Sequence, residues 1–542
     1  MPLLTDVSVS LEDGKLHAIV GPSGCGKSTL MKALLRIMPG DGQVLLRGRP
    51  VEVTQELIGK VGLAPQFSVA QSLLTVEESL RSTLSLCVRD RLQCKAQLEH
   101  VLKVVGLEAQ RDNRVSGLSG GQLRRLGLAM ELAPNPDFLI CDEVTSGLDP
   151  NAESRILELL GDLRDNEGKT LACIIHNLGQ LPVFDAVTVL YQGHLVFHGT
   201  YPEMMRYFGL ESPLELYDSL EKQSVEAWDA CWRDKRELSP PPDVDAAVET
   251  SKQARSSRPG LISQFFALLA RRLRLFFRDR GALALIFAIT LGFPIMVVIF
   301  AFNGLPAVPS LPDPVGVNVT IQDLANRAAY EVELTQIGTL VIGLVLFQVV
   351  LLTLMGSNNG AREIAEERNV YEQERLRGLS PAAYLASKAV FVGLISVVQG
   401  AWMAVFVKGI VGFPGDWGIQ IATLSMSVVS MAWVCLGFSA LMNSPERASL
   451  LSVYLVGFQL PLAGIVLELP GWMEPVCRPM INAFWAWSGT IRSMIESRYY
   501  DTVLQAYGGA THAPETALIV LILQGLVGLV LAWWGCRRTQ IQ

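Results

Sequence analysis

Charge is what this 542-residue chain has least of. Asp, Glu, Lys and Arg together make up 18% of it, against 50% hydrophobic residues and a mean hydropathy of +0.33. Intrinsic disorder is excluded, because that state needs low hydrophobicity and dense charge. So apolar a chain also lacks the charge that a wholly water-soluble surface requires. An excess of basic residues is missing too: the formal net charge is −7, which gives no reason to expect a nucleic-acid partner. Nine cysteines lie scattered without paired spacing, so no disulfide framework is expected. Most fall in the half read below as cytoplasmic, where thiols stay reduced. No secretory signal precedes the first strand, and membrane insertion is expected to rely on internal segments.

What is present divides near residue 260. Residues 1–208 alternate hydrophobic strands such as His17–Val20 and Phe138–Cys141 with helical segments, the α/β pattern. Residues 209–259 turn acidic and then rich in Pro, Ser and basic residues, which reads as a linker with little structure from about 237 onward. Leu261–Arg280 mixes Phe265, Phe266, Leu269, Leu273, Phe276 and Phe277 with five arginines. It suits an amphipathic helix at a membrane surface or, alternatively, an extension of the first span; its expected bounds are 260–281. Six uncharged apolar runs follow, at 282–302, 335–356, 389–407, 418–441, 448–467 and 516–536. Each has about the 20 residues a helix needs to cross hydrocarbon. The expected architecture is an α/β domain over 1–208 and an all-α, six-helix membrane domain over 282–542.

Arginines set the expected orientation. Arg271, Arg272, Arg274, Arg278 and Arg280 precede the first run, and Arg362, Arg368, Arg375, Arg377 and Lys388 fill the loop after the second. Arg447 follows the fourth, and Arg537 and Arg538 close the chain, so both termini are expected to be cytoplasmic. Trp402, Trp417, Trp472, Trp485, Trp533 and Trp534 fall near span ends, as an interfacial belt places them.

Three motifs carry chemistry. Residues 21–29 read GPSGCGKST: Gly21, Pro22, Ser23, Gly24, Cys25, Gly26, Lys27, Ser28 and Thr29. Placed between a strand and a helix, such a loop wraps phosphates with backbone N–H groups, with Lys27 on the β and γ phosphates and Ser28 on Mg²⁺. Phe138–Cys141 runs into Asp142 and Glu143. Asp142 at the strand end can support Mg²⁺ through water, and Glu143 is placed to polarise an attacking water. Between them stands Leu118-Ser119-Gly120-Gly121-Gln122.

With that pentapeptide the chain resembles the ATP-binding cassette (ABC) transporters, whose signature is LSGGQ. The resemblance implies that Ser119, Gly120, Gly121 and Gln122 bind nucleotide. It makes Gln66 in APQF the Q-loop residue, a catalytic and Mg²⁺-associated position beside Ser28 and Asp142. It makes Ser146-Gly147-Leu148-Asp149 the D-loop and His176 in IIHN the switch histidine. In that family each ATP lies between the phosphate loop of one cassette and the signature of another, so a chain with one cassette and six spans is expected to be a half-transporter working as a homodimer or heterodimer. Cassette-first order resembles the G subfamily, as do Arg362-Glu363-x-x-x-Glu367 through Lys388, the cytoplasmic coupling loop, and 468–515, an outer re-entrant segment. There are departures. The segment ahead of the phosphate loop is short for the family and is expected to lack the aromatic that stacks on adenine. Gln122 stands where G members more often have Glu, and the linker is short.

No Asp, Glu, Lys or Arg lies inside a predicted span, which argues against an ion carrier. The expected function is ATP-driven export of hydrophobic or amphipathic cargo (lipid, sterol or drug-like), with Phe347, Gln348, Phe458 and Gln459 as first candidates for a cavity. The alternative is an ATP-binding regulatory or force-transmitting subunit that does not itself pump. Cys477 is read as a possible bridge between subunits, and Asn318-Val319-Thr320 as a glycosylation sequon.

Overall fold

β1 (Leu16–Val20) is buried along its whole length, the mark of a strand covered on both faces. It forms the middle of a six-stranded sheet of order β4-β5-β6-β1-β7-β8, built with β4 (Val61–Ala64), β5 (Phe138–Asp142), β6 (Thr170–Ile174), β7 (Ala186–Tyr191) and β8 (His194–Gly199). All pairings are parallel except β7 with β8. β2 (Val44–Leu46) and β3 (Arg49–Val51) make a separate antiparallel pair. The computed structural model describes residues 3–38, 40–53, 56–66, 70–237, 259–310 and 321–538. They divide into two units, one of 1–268 with 369–380 and one of 269–368 with 381–540. Asn318 and its sequon lie outside the described residues.

In the first unit, helices α1 (Lys27–Leu34), α2 (Val76–Cys87), α3 (Arg91–Val104), α4 (Gly120–Leu132) and α5 (Pro150–Asp165) accompany the sheet. The segment expected to open the linker is partly helical: α6 (Tyr201–Phe208) is followed by α7 (Leu216–Leu220) and α8 (Val225–Glu237). The physical cause is aromatic. Trp228 and Trp232 of α8 pack against Tyr207, Phe208 and Phe197, burial that an unstructured connector would forgo.

Residues 369–380 lie between two apolar runs in sequence yet belong to the cassette's unit. Arg377 donates to Glu131 of α4 at 2.6 Å, with both side chains buried. Gln264 donates to the carbonyls of Leu86 and Gly378 at 3.3 and 3.2 Å and accepts from the Ser380 N–H at 2.9 Å.

The second unit is helical. It contains α10 (Arg280–Ile299), α11 (Ile321–Gly360), α13 (Pro381–Val411), α14 (Trp417–Leu441), α15 (Pro445–Leu462) and α19 (Pro514–Arg537). α9 (Leu261–Arg278) precedes it, α12 (Arg368–Leu376) links α11 to α13, and short α16 (Glu474–Cys477), α17 (Asn482–Arg492) and α18 (Arg498–Tyr507) fill the 468–515 region. The segment given the alternative reading of an extension of the first span is a helix of its own: α9 stops at Arg278 and Asp279 caps α10 by accepting from the Ala282 N–H at 3.0 Å. Among the described residues, five helices, α10, α11, α13, α14 and α19, are long and apolar enough to cross a membrane. The expected fifth span, 448–467, departs from this. Its helix is shifted to Pro445–Leu462 and takes in Glu446, Arg447 and Gln459, which lower its hydropathy below that of the others.

Helix contacts there depend on small residues. A Cβ on Gly360 would stand 2.1 Å from the Ala432 carbonyl oxygen, and one on Gly528 2.5 Å from that of Trp433, so α11, α14 and α19 approach as closely as membrane helices with glycine seams do. Arg368 closes two of these helices at once, donating to the carbonyls of Ala440, Gly535 and Arg538, where C-terminal carbonyls lack helical partners.

Beside it, Lys388 donates to Glu363 at 2.9 Å and Glu367 at 2.5 Å, and Arg272 donates to Glu363. Burial alone would raise the Glu367 carboxyl, but Lys388 and then Arg271 override it and hold it at about 2. A carboxyl held below its unfolded value near 4.5 stabilises the fold above that pH and loses the contribution as pH falls toward 2. The difference in thermal midpoint between the parent and Glu367→Gln is therefore expected to be large at pH 6 and to shrink steadily from pH 4.5 to 2.5. A difference constant with pH would contradict the ion-pair account.

The cavity candidates divide. Gln348 and Gln459 are buried within the second unit, and the Gln459 side chain is spent accepting the Ala483 N–H at 3.0 Å, at the start of α17. Phe347 packs half-buried against Phe300, and Phe458 is exposed.

Candidate active site for nucleotide hydrolysis

The phosphate loop springs from the end of β1. Gly21 has φ +155°, and a Cβ there would stand 2.2 Å from the Leu190 carbonyl oxygen and 2.6 Å from the Cys25 sulfur. Gly24 and Gly26 take φ +79° and +103°, the left-handed region in which glycine is unstrained. Gly26 then starts α1 at Lys27. Pro22 and Thr29 are half-buried and Ser23, Gly24 and Ser28 exposed, so the loop's crest and the helix N-terminus face outward, the arrangement that binds phosphate. Burial pushes the Cys25 thiol up and keeps it neutral. The buried Lys27 ammonium turns back on the loop, donating to the carbonyls of Gly21 at 2.7 Å and Pro22 at 3.0 Å.

Gln66, Glu143 and His176, read from three separate segments, meet in space. Gln66 Nε2 donates to one Glu143 carboxylate oxygen at 2.7 Å, and His176 Nε2 contacts the other. Glu143 sits just past β5 with φ +50°, a conformation uncommon outside glycine that recurs at functional sites. Burial, then the neighbouring Glu143, raises the Asp142 carboxyl above the ordinary range. A cleft of about 190 Å³ opens here, lined by Glu143, Ser146, Leu148, Glu153, His176 and Asn177 among others.

The signature forms the N-terminus of α4. Ser119 and Gln122 make a capping box: the Ser119 hydroxyl accepts the Gln122 N–H at 3.3 Å and the Gln122 side chain accepts the Ser119 N–H at 2.9 Å. The Gln122 side chain is thereby used by the helix itself. Ser119 and Gly120 are exposed, and Gly121 leaves room for Ala152, whose Cβ would be 3.2 Å from its own. Among the described residues, no hydrogen bond joins the phosphate loop to Glu143 or to the signature, and none joins Ser28, Gln66 and Asp142 to one another. No group of three or more His, Cys, Asp or Glu there could hold a metal ion. Ser28, Gln66 and Asp142 offer oxygen donors only, the set that suits Mg²⁺, and a cation would keep the raised Asp142 carboxyl ionised.

Two residues escape the motif reading. Arg124 of α4 reaches the D-loop through the Ser146 carbonyl at 3.5 Å, and Glu131 meets Arg377 as described. The sequence signal for the second was a carboxylate inside the apolar run Leu126–Ala133, where an acid is rarely buried unless paired. Cys477 is a half-buried free thiol.

Residues 4–146 match the ABC transporter family and residues 263–482 the ABC-2 type transporter family. The ABC transporter ATP-binding/permease protein Rv1747 of Mycobacterium tuberculosis is 29% identical over 486 residues, covering 86% of this chain and 53% of that protein. The methionine import ATP-binding protein MetN of Caulobacter vibrioides is 36% identical over 210 residues, 38% of this chain and 63% of that one. The energy-coupling factor transporter ATP-binding protein EcfA1 of Thermotoga maritima is 32% identical over 205 residues, 38% of this chain and 78% of that one. The chain thus spans about half the length of the first of these relatives and under two thirds of the second. With an ABC transporter cassette match ahead of an ABC-2 type helical domain, and a cassette relative 32% identical of which it covers 78%, the chain belongs to the ABC transporters.

Proposed function

We propose that the chain is an ATP-driven half-transporter that pairs with a second half, identical or not, and exports hydrophobic or amphipathic molecules across a membrane. The observation that carries the ATPase reading is the meeting of Gln66 and His176 on the two oxygens of Glu143. A carboxylate so oriented serves as the general base for water, with Gln66 and His176 fixing its position. Lys27 exchanges its two carbonyl partners, Gly21 and Pro22, for phosphate oxygens. Mg²⁺, when held through Ser28, Asp142 and Gln66, supplies neutralising charge at the phosphates.

Pairing is supported by the family's shared-site arrangement together with the exposure of Ser119 and Gly120 at the start of α4. The 361–380 loop is the proposed transmitter, supported by the assignment of residues 369–380 to the cassette's unit. An apolar cargo is favoured because the apolar runs carry no acid or base at their centres. Purified full-length protein in lipid vesicles is expected to hydrolyse ATP and to move a fluorescent lipid or amphipathic dye only when ATP is supplied on the cassette side. ATP turnover with no movement of any apolar probe would overturn the transport reading and leave the regulatory alternative.

A further inference from the structure

Glu131 lies near the C-terminal end of α4, the helix whose first turn is the signature. Its side chain is only 4% exposed, and its two carboxylate oxygens serve different neighbours. Oε1 accepts from the Arg377 guanidinium at 2.6 Å, and Oε2 accepts from the Leu63 N–H of β4 at 3.3 Å. β4 is an edge strand, with β5 as its one neighbour in the sheet. Such an edge leaves a row of backbone groups without strand partners, and Glu131 takes up one of them. α4 also presses on the strand directly: a Cβ on Gly62 would stand 3.3 Å from the Glu131 carbonyl oxygen. Just past Leu63 the same stretch of chain presents Gln66, whose amide nitrogen donates to Glu143 at 2.7 Å.

Arg377 is held from its own side as well. It follows α12, donating its N–H to the carbonyls of Gln373 and Glu374 at 3.2 and 3.1 Å. Its carbonyl accepts from the Cys87 thiol, at the end of α2, at 3.5 Å. The guanidinium is thus fixed to residues 369–380 at one end and to α4 at the other.

Resting on the ATPase reading and on the 361–380 loop as transmitter, we infer that Glu131 is the positioning residue through which residues 369–380 act on the hydrolytic site: one buried carboxylate ties Arg377 to β4, and β4 leads to Gln66. The ion pair cannot part without leaving a charge in the protein interior. Residues 369–380, α4 and the edge strand therefore shift together. A displacement of 369–380 reaches Gln66 along β4 and the signature along α4. Gln66 drawn away from Glu143 leaves that carboxylate to His176. The coupling is reciprocal, so nucleotide engaged by Gln66 biases the position of 369–380.

Amide hydrogen exchange tests this on three full-length proteins in detergent–lipid micelles, each without nucleotide and with a saturating non-hydrolysable ATP analogue and Mg²⁺. They are the parent, the double variant Arg377→Met with Glu131→Leu, which removes both bonds and leaves no charge buried, and Lys169→Met. The last breaks a different buried polar contact of the cassette, to Asn135 at 2.7 Å. In the parent the analogue is expected to change exchange by at least about fivefold, the low end of an allosteric coupling, both at 61–66 and at 369–380. In the double variant the change at 61–66 persists and that at 369–380 falls below about twofold. Lys169→Met keeps both responses. The inference fails if the double variant keeps the parent's response at 369–380, if the parent hydrolyses ATP yet shows no response there, or if Lys169→Met loses that response equally. A parent that responds at neither segment and hydrolyses no ATP would contradict the ATPase reading itself, and this inference with it.

Discussion

Glu143→Gln is expected to lower ATP turnover by about 10²–10⁴-fold, the usual contribution of a positioned general base, while the protein still binds ATP. The geometry explains why the two effects separate. The amide is the same size as the carboxylate, and its oxygen can still accept from Gln66. Lost are the proton acceptor for the attacking water and the negative charge that His176 contacts. The phosphate loop, whose bonds run through Lys27, Gly21 and Pro22, is untouched. Turnover at saturating ATP and equilibrium binding of the nucleotide, measured on one preparation, check the prediction. Turnover within about tenfold of the parent's would remove Glu143 from the base role, since so small a loss is below the range for a positioned base.

The second large effect concerns Arg377. Its guanidinium and the Glu131 carboxylate are both buried, 2.6 Å apart. Burial alone would lower the Arg377 pKa, but Glu131 raises it, and the cation is retained. Removing one member of such a pair strands the other charge away from water, at a cost of about 3–5 kcal/mol. Arg377→Met should therefore destabilise the cassette's unit strongly. The double variant Arg377→Met with Glu131→Leu should recover most of the loss, because neither charge is then left buried. Recovery should be incomplete, since Glu131 also accepts the Leu63 N–H at 3.3 Å. Thermal unfolding of the full chain, read through cassette tryptophans, would show a low midpoint for the single variant and an intermediate one for the double. Equal midpoints for the parent and Arg377→Met would contradict the account.

The chemistry of the cassette was legible because it resides in short contiguous strings. GPSGCGKST dictates a glycine-permitted loop, and an apolar strand ending in two acids dictates where the carboxylates emerge. What no string carries is the meeting of Gln66, Glu143 and His176, which depends on β4, β5 and β6 standing side by side. Family order supplied that grouping and local pattern did not. Composition set an expectation of little structure only from about 237 onward, largely outside the described residues, and did not show the helices that open the linker. Trp228 and Trp232 find their partners on β8 and α6, far from them in local pattern. The fifth apolar run was placed by hydropathy alone. Ser444 and Pro445 instead set the helix start, pulling Glu446 and Arg447 into it. Gln459 was read as a cavity amide, but the backbone at the head of α17 needed an acceptor, a need visible only once two distant segments are packed together.

The central claim is that each nucleotide pocket is shared by two chains, and complementation tests it most directly. A chain with Lys27→Ala and a chain with Ser119→Arg should each be inactive alone. In a mixed pair the intact phosphate loop of the second faces the intact signature of the first. Equal amounts co-reconstituted should therefore recover about a quarter of the parent's ATP turnover, since half the pairs are mixed and each has one sound pocket of two. A mixture no more active than its separate parts would contradict the shared pocket, as would full turnover by either variant alone.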